Sequence, residues 1–175
     1  MKSDLKEYIR SVQDFPKQGI VFRDITTLLK NPGALKEAID ELYNSAKDLM
    51  IDKVVGIESR GFIFGAMLAE RLKVGFVPVR KPKKLPAETE KEFYDLEYGK
   101  DSIEIHRDAI SPGDKVLIHD DLLATGGTAK AAINLVEKLG GEVVQVLFLV
   151  ELSFLNGREK LKGYNVKSLV DYTSE

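Results

Sequence analysis

Between Lys115 and Leu139 the chain changes character twice within 25 residues. The apolar stretch Lys115-Val-Leu-Ile-His119 ends in two adjacent carboxylates, Asp120 and Asp121. Leu122 and Leu123 lead to Ala124-Thr-Gly-Gly-Thr128, and apolar residues then recur at helical spacing from Ala129 to Leu139. The stretch predicts a strand, a small-residue loop and a helix that Gly140 and Gly141 stop. A similar unit lies upstream: strand Lys53-Val-Val-Gly-Ile57, loop Glu58-Ser-Arg-Gly61, helix Phe62 to Leu72 and strand Gly75-Phe-Val-Pro-Val79. Val143 to Leu152 is one more apolar strand. Strands alternating with helices predict an α/β fold with a parallel sheet flanked by helices. On such sheets, ligands bind beyond the carboxyl ends of the strands, where both small-residue loops fall.

The remaining segments frame these units. Leu5, Tyr8, Ile9 and Val12 predict a short opening helix. Pro16 and Gly19 mark a loop before the apolar run Ile20-Val-Phe22. Asn31-Pro-Gly33 starts a long helix striped by Leu35, Ala38, Ile39, Leu42, Ala46 and Leu49. Arg80-Lys-Pro-Lys-Lys-Leu-Pro86 is basic and broken by proline, and Glu88 to Tyr94 is polar. Tyr94 to Tyr98 and Ser102 to His106 alternate around Gly99, which predicts a β-hairpin. A polar insertion between sheet strands is a natural place for a mobile lid.

The acidic pair sets the chemistry. Two carboxylates at the end of a buried strand are costly unless something bonds to them. Vicinal hydroxyls would. The loop's N–H groups and the helix N-terminus behind it suit a phosphate dianion. Gly126 and Gly127 allow close approach, and Thr125 and Thr128 add hydroxyls. A diol site beside a phosphate cradle describes ribose 5-phosphate. The plainer alternative is a capped helix after a core strand, but that leaves the acidic pair unexplained. Backbone N–H groups at Ser59 and the Arg60 guanidinium offer a second anion site at the same sheet edge. Arg80, Lys81, Lys83 and Lys84 form the dense basic cluster, with Lys83 read as solvated.

Several classes are disfavoured. The chain has 175 residues, which suits one domain, and 26 Lys+Arg against 28 Asp+Glu give a net charge of −2. No global basic field invites nucleic acid. No apolar run approaches the ~20 residues of a bilayer span, so no membrane partner is expected. Without cysteine there is no thiolate chemistry, and a reducing cytoplasm is the expected compartment. P-loop and dinucleotide fingerprints are absent. No His/Asp/Glu cluster has the spacing of a protein-only metal site.

Val116 to Thr128 resembles the phosphoribosyl-diphosphate (PRPP) signature of the type I phosphoribosyltransferases. Phe15 to Thr26, Glu58 to Gly65, Arg80 to Pro86 and Leu96 to Gly99 are similar to the adenine-specific branch of that family, in its order and spacing from about Asp14 to Lys160. The resemblance implies a single phosphoribosyltransferase domain over 1–175, with a small N-terminal hood over about 1–32 and a flexible lid hairpin over about 80–107. It implies purine salvage, adenine and PRPP giving AMP and diphosphate, with Mg²⁺ carried by PRPP and a homodimeric enzyme. It places Asp120 and Asp121 on the ribose, and Ala124, Thr125, Gly126, Gly127 and Thr128 on the 5′-phosphate. Ser59, Arg60, Arg80, Lys81 and Lys84 fall on diphosphate, with Arg80 serving its own site or a neighbouring subunit's. Val21, Phe22 and Arg23 fall on adenine, Phe22 by stacking and the other two through backbone groups. Glu97 becomes the acid/base group, and the Glu58–Ser59 bond is expected to be cis. His119 departs from the pattern, where a smaller aliphatic residue is usual; a structural role facing away from ligand is expected. Transfer to hypoxanthine, guanine, xanthine or orotate fits the signature equally, and a catalytically silent PRPP-binding regulator is a third reading.

Overall fold

A computed structural model describes residues 4–95 and 100–175. Five parallel strands form the main sheet in the order β4-β3-β7-β8-β9. They are β3 (Lys53–Ile57), β4 (Gly75–Val79), β7 (Lys115–Leu123), β8 (Glu142–Leu152) and β9 (Val166–Tyr172). The strand order reverses between β3 and β7, which pair from Lys53 with Val116 to Gly56 with His119. At such a reversal the loops leaving two neighbouring strands diverge and open a crevice.

Helices cover both faces. Helix α2 (Pro32–Ala46) starts where the Asn31 side chain accepts hydrogen bonds from the N–H groups of Gly33 and Ala34, both at 3.0 Å. Its buried stripe is Ala34, Ala38, Ile39, Leu42 and Ala46. With Phe64 and Leu68 of helix α3 (Gly61–Leu72) it packs on Leu117 and Leu147 of the sheet. The other face carries helix α4 (Gly127–Lys138), whose Ala132, Ile133 and Val136 meet Ile118, Val146 and Phe148. Full burial of a leucine or phenylalanine side chain contributes roughly 1.5–3 kcal/mol, so these two layers hold the strand ends rigidly.

Two antiparallel pairs flank this sheet. Strand β1 (Arg10–Val12) pairs with β2 (Phe22–Asp24), and the short helix α1 (Thr26–Leu29) follows. Strand β5 (Thr89–Asp95) pairs with β6 (Lys100–His106). The latter pair lies on α4, where Asn134 donates to Glu92 at 2.9 Å and Lys138 pairs with Glu90 at 2.9 Å. Residues 96–99, including Glu97, lie outside the described residues. Among the described residues no helix is long and apolar enough to cross a membrane.

The structure corrects the expected opening helix. Only a 3-10 turn, Leu5–Tyr8, forms behind the cap at Asp4, and Arg10 to Val12 is strand. An isolated stretch this short is marginal as helix. A β-partner is available in Phe22 to Asp24, and Arg10 is held by Asp24 at 2.5 Å. Strand β7 does not stop at His119 but runs through the acidic pair to Leu123, because Asp120 and Leu122 keep pairing with Phe148 and Val150. Strand β5 starts at Thr89, inside the segment read as polar. Strand β9 has no counterpart in the sequence reading.

Candidate active site

The two loops of the sequence reading do meet. Glu58 to Arg60 leave β3, and Ala124 to Gly126 leave β7, on adjacent strands. A cavity of about 300 Å³ lies between them, lined by Ser59, Arg60, Lys81, Asp120, Asp121 and Thr128, among others. A smaller cavity of about 80 Å³ adjoins it, formed by Leu122 to Ala129 with Asp120. Asp120, Leu122 and Thr128 line both, so the acidic pair and the cradle share one space.

The cradle owes its shape to glycine. Gly126 caps α4 in the left-handed region at φ 78°. A β-carbon there would strike the carbonyl of Gly157, behind the loop. Gly127 begins the helix, no side chain caps it, and the helix's first residues line the small cavity. Gly61 has a related task at the start of α3. A β-carbon on it would lie 3.0 Å from the His119 carbonyl, so only glycine lets α3 press this closely on β7.

The acidic pair is held in an unfavourable state. Burial, then the neighbouring charge of Asp121, raises the pKa of Asp120 well above the usual carboxylate range. Burial also raises Asp121, while Arg60 partly offsets it. Arg60 Nε lies 2.8 Å from Asp121 Oδ2, yet that oxygen lacks an aligned hydrogen bond. Behind the pair, His119 is fully buried against the edge of Phe64, and burial lowers its pKa to about 4. It is therefore neutral at neutral pH. Neither ring nitrogen has a well-aligned hydrogen bond, although the Leu147 backbone lies close enough to favour the protonated ring slightly.

The basic segment is arranged differently. Burial would raise Glu58, but Lys84, Arg80 and the Lys81 N–H bring its pKa down to about 2. Lys84 lies 2.9 Å from Glu58 Oε1, Arg80 Nη2 3.1 Å from it, and the Lys81 N–H donates to Oε2 at 2.9 Å. Arg80 also donates to the Lys84 carbonyl at 3.2 Å, so its guanidinium is engaged within its own chain. The Lys81 ammonium pairs with Asp101 and donates to the Tyr94 hydroxyl at 2.6 Å. Lys83 is exposed, as expected. The Glu58–Ser59 bond is cis.

Phe22 is half-buried on β2, edge-on to Phe15 at 5.2 Å. The Arg60 guanidinium lies 5.0 Å from the centroid of the Phe22 ring. Arg60 thus links the N-terminal ribbon to the acidic pair. The Arg23 side chain turns the other way, onto the Tyr172 ring at 4.0 Å. Val21 precedes β2 directly and is half-buried.

Three contributors were not legible. Asp101 and Tyr94 hold Lys81 from the hairpin, and Gly157 closes the cradle from behind. Each comes from a segment distant in sequence. Only the Asn156-Gly157 dipeptide carries a local signal, as a turn.

The family model described as phosphoribosyl transferase domain matches residues 24–173. The adenine phosphoribosyltransferase of Christiangramia forsetii is 60% identical over 170 residues, covering 97% of this chain and 99% of the relative. The crystal structure of adenine phosphoribosyltransferase from Thermoanaerobacter pseudethanolicus superposes with a TM-score of 0.95 at 53% identity, over 98% of this chain and 100% of that one. The Saccharomyces cerevisiae enzyme, solved with an imino-altritol bisphosphate and adenine, gives 0.89 at 46% identity over 94% and 96% of the two chains. The chain belongs to the phosphoribosyltransferase family, and within it to the adenine phosphoribosyltransferases.

Proposed function

We propose that this protein transfers the 5-phosphoribosyl group of PRPP to N9 of adenine, releasing diphosphate and AMP. The observation that carries this reading is the shared space of the acidic pair and the phosphate cradle, lined also by Arg60, whose guanidinium lies 5.0 Å from the Phe22 ring centroid. The relatives named above support adenine as the base.

The chemistry follows from what each group can do. Asp120 and Asp121 accept hydrogen bonds from the ribose 2- and 3-hydroxyls, which relieves their unmet polarity. The N–H groups from Ala124 to Thr128, with the Thr125 and Thr128 hydroxyls, hold the 5′-phosphate. As the C1–O bond breaks, positive charge builds on the ribose ring and negative charge on diphosphate. The carboxylates stabilise the first, and Arg60, Lys81, Lys84 and the Ser59 N–H the second. Arg80 acts from its Glu58 bridge, or across a homodimer interface. Adenine stacks on Phe22, with its edge read by the backbone at Val21 and Arg23. Its N9 forms the new bond to C1 and the ring loses one proton, for which Glu97 is the proposed acceptor. A hard cation suits this oxygen-rich site, since Mg²⁺ is typically held by substrate phosphates, waters and few carboxylates. Bound with PRPP, it would neutralise charge on the leaving group. We assign 1–32 as a hood, 80–107 as a lid and the whole as one domain in a homodimeric, cytoplasmic enzyme.

The test is to incubate the protein with PRPP, Mg²⁺ and each base in turn. AMP from adenine alone is expected, and no nucleotide from any base would end the reading. For Glu97→Gln we expect a large fall in kcat. A change within about twofold, worth only ~0.4 kcal/mol, would remove Glu97 as the acid/base group.

A further inference from the structure

The chain after β8 closes the phosphate cradle from behind. Asn156 turns through the left-handed region at φ 54°, and Gly157 packs backbone to backbone on the loop. A β-carbon on Gly157 would strike the Ala124 carbonyl, just as one on Gly126 would strike Gly157. The 3-10 helix Gly157–Leu161 is therefore fixed against the start of α4, with Leu161 buried at its end.

The charges on this short helix are mostly committed. Arg158 is held by Glu151 at 2.6 and 2.7 Å and by the Val166 carbonyl at 2.9 Å. Glu159 pairs with Lys162 at 2.5 Å. On the facing turn of α4, Lys130 lies over the Tyr164 ring and donates to its hydroxyl at 3.3 Å. Lys160 has no partner among the described residues. Its ammonium lies 3.9 Å from the place a β-carbon on Gly127 would occupy, beside the first turn of α4.

An ammonium at a helix N-terminus has the wrong sign, because that end of the helix already carries partial positive charge. The arrangement becomes favourable when a dianion sits between the two. We propose that Lys160 is a further binding residue for the 5′-phosphate, supplying a full charge to a cradle built otherwise of backbone N–H groups and hydroxyls. The proposal rests on the ribose-phosphate reading of that cradle. Lys160 would favour phosphorylated ligands over their dephosphorylated counterparts.

Lys160→Gln and Lys160→Arg test it by calorimetric titration with ribose 5-phosphate, AMP, adenosine and diphosphate. For Lys160→Gln the Kd of ribose 5-phosphate and of AMP should rise about fivefold, the size expected for an exposed charge at a helix end. Adenosine and diphosphate should bind as to the unaltered protein, and Lys160→Arg should restore the phosphate ligands. Raised salt should weaken AMP binding to the unaltered protein more than to Lys160→Gln. Unchanged AMP and ribose 5-phosphate affinity in Lys160→Gln would overturn the assignment. So would an equal loss for all four ligands, which marks a bracing role only, or no binding of ribose 5-phosphate to the unaltered protein. Failure to make AMP from adenine and PRPP would instead sink the functional reading, with Lys160 still judged by ribose 5-phosphate.

Discussion

At the end of β3, the charges near the crevice have met their opposites: Glu58 holds Lys84, Arg80 and the Lys81 backbone, and Asp101 holds the Lys81 ammonium. At the end of β7, two adjacent carboxylates face one guanidinium, and one of their oxygens has no aligned hydrogen bond. The two sides therefore gain ligand affinity by different means. On the first, the proposed diphosphate side, an arriving diphosphate would exchange with protein carboxylates for the same cations, so the net gain would be small and sensitive to that competition. On the second, the proposed ribose side, a ligand would relieve a cost already built into the fold, so the gain should be large and matched by a less stable empty protein.

Asp121→Asn should break the second side most severely. We expect kcat/KM for PRPP to fall by about a thousandfold, or ~4 kcal/mol, by steady-state assay. Asp120→Asn should raise the thermal midpoint of the empty protein while lowering PRPP affinity. The sign follows from its raised pKa: above the ordinary carboxylate pKa the open chain is ionised while the folded site resists ionisation, so folding carries a cost that asparagine removes. A lower midpoint would show that the pair is not strained.

The next effect concerns the strand behind the pair. His119 titrates at about 4 in the fold against 6.5 in the open chain. Between these values the unfolded chain binds a proton that the fold refuses. Stability should therefore fall by about 3 kcal/mol as pH drops from 6.5 to 4, and denaturant titrations should show this loss removed in His119→Leu. Glu58 acts lower on the scale. Its pKa of about 2 gives stability that is present above 4.5 and lost as pH falls toward 2.

Gly126→Ala sharpens the comparison on the cradle. The left-handed φ and the Gly157 carbonyl together should cost about 2 kcal/mol or more in stability, with weaker AMP binding and unchanged diphosphate binding. The smallest effect is expected from Glu58→Gln. Released cations should bind diphosphate about threefold more tightly, or ~0.7 kcal/mol, with a steeper salt dependence. Weaker binding would mean that Glu58 holds the cations in place rather than competing for them.

What could be read from sequence follows the range of the interactions. The β3–α3 and β7–α4 units were legible because strand, loop and helix are contiguous and each loop has its own chemistry. The cradle was legible for the same reason. The opening segment misled because the spacing of Leu5, Tyr8, Ile9 and Val12 also fits a helix, while the strand partner of Val12 lies ten residues on at Phe22. Strand β9 was missed because Lys167 and Asp171 dilute its pattern at the sheet edge, where charged residues are common. The role of Glu58 as a holder of cations, and those of Asp101 and Gly157, depended on chain segments meeting that no local pattern links.

The pairing of β3 with β7 joins residues 63 positions apart, Lys53 with Val116. The crevice cannot exist until that contact closes, and distant contacts of this kind form slowly. A substrate present during refolding therefore has nothing to bind until the chain is nearly native. PRPP should slow unfolding and leave the refolding rate almost untouched.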